Sequence, residues 1–164
     1  MIKFLKKCLD LKKCLDLKKC LEWKGQYGPT RKRDTDAGFD LYLSKCLELK
    51  PQEVKSVELE LRVNIPKGFV GLILPRSSVS AKGLHVCTGV IDAGFVGKLQ
   101  VCVKNMHSHS KYCYADHDVN LFFYEGDRLC QLVLLPSPSF YLKNVKEFTK
   151  YGDRGEKGVG SSGR

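Results

Sequence analysis

Residues 89–97 read Gly-Val-Ile-Asp-Ala-Gly-Phe-Val-Gly, and the rest of the chain is best read outward from them. Val90 and Ile91 have the character of buried strand positions, while Ala93-Gly94 lets the chain reverse. The pattern predicts Asp92 and Phe95 at the mouth of a hairpin. A carboxylate held there can orient a water, and a ring beside it can wall a small pocket. An ordinary turn uses the same residues, so the role of Asp92 depends on what other stretches bring to it.

On either side the chain reads as short strands separated by turn signals. Asp36 to Tyr42, Val54 to Ile65, Phe69 to Leu74, Val86 to Val90, Leu99 to Val103, Val119 to Tyr124 and Leu129 to Leu135 are the expected strands. Pro66-Lys67-Gly68 is a turn, and only Val79 to Gly83 looks helical. This spacing predicts an all-β barrel or sandwich. The last residues, Arg154 to Arg164, are rich in Gly and Ser and can build no core; they read as a mobile tail unless a ligand orders it.

The chain has 164 residues, 43% of them hydrophobic, enough for one domain with a proper core. No apolar run approaches the roughly 20 residues of a membrane span, and charges interrupt the N-terminus too often for a secretory signal. The net charge is +10, but residues 1–33 hold 11 Lys or Arg against 3 Asp or Glu. The remaining residues are nearly neutral. A nucleic-acid-binding core is therefore not expected, while the basic arm leaves room for an accessory contact with polyanions.

That arm contains Leu5–Asp10, Leu11–Asp16 and Leu17–Glu22, reading LKKCLD, LKKCLD and LKKCLE. A period of six advances a helix by about 600°, so the apolar positions wander round it instead of forming a stripe. The copies read as an expanded segment beside a folded domain or as a docking element. The eight cysteines include no C-x-x-C pair, and most outside the repeat lie in apolar runs. They read as reduced thiols in a cytosolic protein.

Three stretches carry anion chemistry. Pro75-Arg76-Ser77-Ser78 follows a buried strand and offers a guanidinium fork, two hydroxyls and backbone N–H groups. Arg154 with the Gly/Ser tail can wrap an anion with its amides. Gln131 stands inside an apolar strand, where a buried amide needs partners, structural or ligand.

Taken in order, these segments resemble the trimeric dUTP diphosphatases, the dUTPase family, some of whose members are viral or phage proteins. The resemblance covers about residues 34–164 through DAGFDLY (36–42), PRSSVSAKGL (75–84), GVIDAGFVGKL (89–99), EGDRLCQL (125–132) and RGEKGVGSSG (154–163). It implies a jelly-roll-like β-barrel whose homotrimer builds sites at subunit interfaces, the C-terminal arm of one subunit closing a site on its neighbours. The implied division is a basic extension (1–28), a barrel domain (29–148) and an arm (149–164). The implied reaction is Mg2+-dependent hydrolysis of dUTP to dUMP and pyrophosphate.

By similarity, Asp92 activates the water that attacks the α-phosphorus. Phe95 takes the place of a Tyr that packs on deoxyribose. Arg76, Ser77, Ser78 and Gln131 match phosphate contacts, and Asp40 matches the acidic residue near metal-bound waters. Arg154 matches the γ-phosphate arginine of the exchanged arm, with Gly158, Val159, Gly160 and Ser161 around the nucleotide. Residues 86–90, among them Val86, Gly89 and Val90, would read uracil.

Three departures bear on this. Val159 replaces an aromatic that stacks on uracil, which predicts weaker capture by roughly 1–3 kcal/mol. Val86 replaces a frequent Asn, leaving the base to be read by backbone groups. The segment Asn105 to Gly126 is longer than in compact members and reads as an elaborated surface loop; its His107, His109, Cys113 and His117 are of metal-ligating types, the lesser alternative. Two rivals follow from the same resemblance. A dCTP deaminase needs a Glu where Cys102 stands; a regulatory protein-binding role would use residues 1–24 or 106–124. The expected location is the cytoplasm, of a host cell for a viral protein, with the nucleus an alternative.

Overall fold

The computed structural model describes residues 21–108 and 120–147. Most of the repeat, the residues His109, Cys113 and His117, and the tail with Arg154, Gly158, Val159, Gly160 and Ser161 lie outside them. The described strands are β1 (Glu22–Gly25), β2 (Gly38–Tyr42), β3 (Leu47–Leu49), β4 (Val54–Asn64), β5 (Phe69–Pro75), β6 (Leu84–Val86), β7 (Gly89–Ile91), β8 (Lys98–Asn105), β9 (Leu121–Phe123) and β10 (Arg128–Pro136). A single turn of helix, α1 (Ser77–Ser80), follows β5. The chain is thus nearly all β, as its turn spacing predicts.

One antiparallel sheet runs β1-β4-β8-β6, a second runs β2-β10-β5-β7, and β3 pairs with β9. Alternation along each strand decides which face is buried. On β8, Leu99, Val101 and Val103 point inward while Gln100 and Cys102 point out. Buried residues from all three sheets, including Leu61, Val101, Ile73, Leu132 and Phe123, form one cluster. The two larger sheets therefore share a core, each buried Leu, Ile or Val contributing about 1.5–3 kcal/mol. Among the described residues no helix is long and apolar enough to cross a membrane.

Three local expectations need correction. The stretch Val86 to Val90 is not one strand: β6 pairs with β8, whereas β7 pairs with β5, and the chain changes sheets at Cys87-Thr88. The buried face changes phase at the crossing, from Leu84 and Val86 to Ile91, because the two halves pair with different sheets. For the same reason the 92–97 turn joins two sheets and does not close a hairpin. The turn itself is present, with Phe95 N–H donating to Asp92 O at 3.2 Å and Gly94 at φ +91. Helix α1 starts at Ser77, two residues before the apolar Val79 that suggested it, because Val79 and Ser80 N–H both bond Arg76 O at 3.0 Å.

Strand β1 lies within the segment read as an extension. It runs along β4 with Glu22 opposite Asn64 and Gly25 opposite Leu61. Beside it β4 bulges between Glu58 and Arg62, with Glu60 at φ 47. A Cβ on Gly25 would sit 2.3 Å from Glu60 O, so only glycine fits against the bulge.

Candidate active site

The middle of the second sheet brings three of the sequence motifs side by side. Gln131 on β10 stands opposite Asp40 on β2 and opposite Leu74 on β5, and Arg76 follows directly after β5. Arg76 Nε donates to Asp40 Oδ1 at 2.7 Å, and Arg128 Nη1 donates to Asp40 Oδ2 at 3.3 Å. A second nitrogen of Arg76 reaches Ser78 Oγ at 3.3 Å and Arg128 O at 3.4 Å. Gln131 Nε2 donates to Pro75 O at 2.9 Å, so the amide has a structural partner and still faces the cleft. Its Oε1 lies over Gly38, where a Cβ would come within 2.3 Å of it. The Gly of the DAG motif is required for that approach.

Around these residues is a cleft of about 400 Å³ lined by Arg31, Lys32, Asp36, Gly38, Asp40, Arg76, Ser77, Arg128 and Gln131. Four of the lining side chains are cationic, and the carboxylates present, Asp36 and Asp40, have protein partners. Asp36 Oδ2 accepts from Arg33 N–H at 2.9 Å. Arg31 is held with its guanidinium 5.1 Å over the Phe39 ring. A concave surface with this balance suits a multiply charged anion. Behind Asp40, burial and the nearby carboxylate push the Cys130 thiol up to about 12, so it is an inert core residue.

Arg31, Lys32, Asp36 and Arg128 were not singled out by sequence reading. Arg128 sits in EGDRLCQL beside a turn, where an arginine reads as surface; its place opposite Tyr42 at the start of β10 sets it in the cleft.

Asp92 and Phe95 are elsewhere. Both are exposed on the turn between β7 and β8 and do not line this cleft. The Phe95 ring folds over Gly97, where a Cβ would lie 2.5 Å from it. Val86 is buried, so only its backbone is available to a ligand, and Gly89 lies over Ile73; Val90, expected to be buried, is instead exposed because its neighbour Ile91 takes the core-facing side of β7. His107 Nε2 hydrogen-bonds Lys82 O at 3.0 Å, and among the described residues no cluster of three or more His, Cys, Asp or Glu could hold a metal.

The dUTPase family profile matches residues 27–163, a span that contains all five motifs. The chain belongs to the dUTPase family. It is 37% identical over 142 residues to the deoxyuridine 5'-triphosphate nucleotidohydrolase of Mycolicibacterium gilvum, covering 82% of this chain and 86% of that one. A 33% match to the Pol polyprotein of caprine arthritis encephalitis virus covers 80% of this chain but spans only 11% of that relative. The dUTPase of Staphylococcus bacteriophage 80alpha solved with dUpNHpp superposes with a TM-score of 0.81 at 35% identity, over 88% of this chain and 99% of that one. That phage dUTPase is described as controlling transfer of virulence genes by a proto-oncogenic G protein-like mechanism. A mutant dUTPase of phage phi11 of S. aureus, described as coordinating a structural Mg(II) ion, matches with a TM-score of 0.73 at 33% identity, over 80% of this chain and all of that one. The jelly-roll-like dUTPase fold is therefore this chain's fold.

Proposed function

We propose that this dUTPase hydrolyses dUTP to dUMP and pyrophosphate, with Asp92 orienting and activating the water that attacks the α-phosphorus. The observation that carries the reading is the Asp40–Arg76–Arg128 cluster with Gln131, an anion-ready cleft built from motif residues of a dUTPase chain. Arg76, Ser77, Ser78 and Gln131 contact the phosphates, Phe95 packs on deoxyribose, and the backbone of residues 86–90 reads uracil. The face of Phe95 excludes a 2′-hydroxyl as a Tyr ring would.

Asp92 lies outside the cleft that gathers the phosphate contacts, and this separation supports a composite site. In a homotrimer the base-reading turn of one subunit meets the phosphate cleft of another. The arm of a third, with Arg154, Gly158, Val159, Gly160 and Ser161, closes over the nucleotide. The matching division is extension 1–28, barrel 29–148 and arm 149–164.

Mg2+ fits this donor set only through water. The one carboxylate deep in the cleft, Asp40, is already bonded to two arginines, which suits an ion carried by the triphosphate and its waters better than a protein cage. When bound, the ion neutralises triphosphate charge. Asp40 would hold its water shell, and Arg76 and Arg128 would add fixed positive charge, so positioning and electrostatics dominate. The expected location is cytoplasmic.

Pyrophosphate release from dUTP in the presence of Mg2+ tests the reading, with dCTP as competitor. Turnover of dUTP that vanishes on deleting residues 154–164 while the barrel stays folded supports it; a stable monomer, or intact dUTP, overturns it. A second reading, protein binding through residues 1–24 or 106–124, is favoured by Phe122 and Tyr124, exposed with ring centroids 4.9 Å apart. Phe122→Ala with Tyr124→Ala discriminates: undiminished dUTP turnover assigns the rings a role outside catalysis, and a fall assigns them to the enzyme.

A further inference from the structure

The outward face of β6 and β8 carries two thiols that hydrolysis leaves unused. Register sets His85 opposite Lys104 and Val86 opposite Val103. One step further Cys87 faces Cys102, and Cys87 N–H donates to Cys102 O at 2.9 Å. Residues directly opposed in an antiparallel ladder have Cα atoms about 4.5–5.5 Å apart. A disulfide spans about 4.4–6.8 Å. Both cysteines are free, Cys102 exposed and Cys87 half-buried. Burial, with a smaller contribution from the neighbouring Cys102 thiol, raises the Cys87 thiol above its ordinary value. The remaining described cysteines have no such neighbour: Cys46 is exposed and Cys130 is buried in the core.

We propose that Cys87 and Cys102 are a reversible dithiol–disulfide pair that, when oxidised, locks the strand crossing beside Gly89–Asp92. The oxidant is a small-molecule disulfide such as oxidised glutathione. The exposed Cys102 thiolate attacks one of its sulfurs, forming a mixed disulfide and releasing one thiol. Cys87 gives up its proton, attacks the Cys102 sulfur and expels the second thiol, so one small disulfide becomes two thiols as the protein loses two hydrogens. The raised Cys87 thiol is offset by proximity, because the second attack is intramolecular. Pairs of this kind in reducing compartments are transient and redox-sensing.

The site of the link gives it a consequence. Strand β6 is an edge strand held to its sheet through β8 alone, and the chain leaves for the other sheet directly after it. A covalent tie there restricts the backbone of residues 86–90. This consequence rests on the reading of those residues as the uracil contact; the covalent step does not.

The test uses the full chain, incubated with oxidised glutathione, alkylated and mapped by peptide mass spectrometry. The expected result is a Cys87–Cys102 link, lighter by about 2 mass units than the dithiol, that dithiothreitol reverses. Cysteines 87 and 102 that both remain alkylatable, or a glutathione adduct that persists on Cys102, overturn the pair. In parallel, KM for dUTP rises about threefold or more on oxidation, is restored by dithiothreitol, and does not respond to oxidant in Cys102→Ser. A link that leaves KM unmoved overturns the locking role. Failure of the reduced chain to turn over dUTP would strike the proposed function, while the mass measurement would still decide the pair.

Discussion

Arg76 Nε and Asp40 Oδ1 lie 2.7 Å apart, joining the end of β5 to β2 across the width of β10. The same carboxylate receives Arg128 at 3.3 Å, so one acidic residue sets the direction of two guanidinium groups. Asp40→Asn keeps the size and loses the charge that aims them. The expected result is a fall in kcat/KM of about tenfold or more, the worth of a charge-assisted hydrogen bond of roughly 1.5–3 kcal/mol. Steady-state pyrophosphate release measures it; an unchanged value would remove Asp40 from the site.

Asp92 is exposed and supports nothing in the core. Asp92→Asn should therefore leave the melting temperature alone while lowering kcat by about 10²–10⁴, the usual contribution of a positioned general base. Calorimetric binding of a non-hydrolysable dUTP analogue should persist. Pyrophosphate release undiminished in this variant would count against the assigned role.

Gly25 separates stability from chemistry. Gly25→Ala places a Cβ 2.3 Å from the Glu60 carbonyl, a backbone atom that cannot rotate away. Overpacking of this kind costs about 1–3 kcal/mol, read as a lower melting temperature. Turnover at 25 °C should match the parent chain, because β1 lies at the far edge of the other sheet. A melting point equal to the parent's would mean that β1 does not pair as described.

Lys98 bridges Glu58 and Glu60 at 2.8 Å each. The Lys98 ammonium, with a smaller contribution from Glu58, holds the Glu60 carboxyl below its ordinary 4.5. A lowered folded value stabilises fully above the unfolded value, and that contribution is lost as pH falls through the folded one. Glu58 and Glu60 in turn raise Lys98 above 10.5, a contribution present below that pH and lost as pH climbs through the raised value. Melting temperature against pH should accordingly drop at both ends, and Lys98→Met should flatten both shoulders. A variant curve parallel to the parent's would show that the bridge contributes nothing.

Much of this was legible in the residues themselves. The alternation of β4 and β8 and the apolar run of β10 identify the sheets, and the ordered motifs identify the family. Asp40, Arg76 and Gln131 converge as their motifs suggest. What could not be read was where one strand hands over to a different sheet, since pairing is decided by partners distant in the chain. Short elements such as β1 and β3 owe their form to β4 and β9 more than to their own few residues. Arg128 escaped notice because its turn context is that of an ordinary surface cation, and only the β10–β2 register turns it inward.

The handover at Cys87-Thr88 has a consequence for how the molecule comes apart. A single short run of chain is stitched into both layers, to β8 on one side and β5 on the other. Neither layer can peel away and leave its neighbour intact without tearing that stitch. Amide exchange in residues 84–91 should accordingly show one protection level shared by both layers, the mark of a body that opens all at once or not at all.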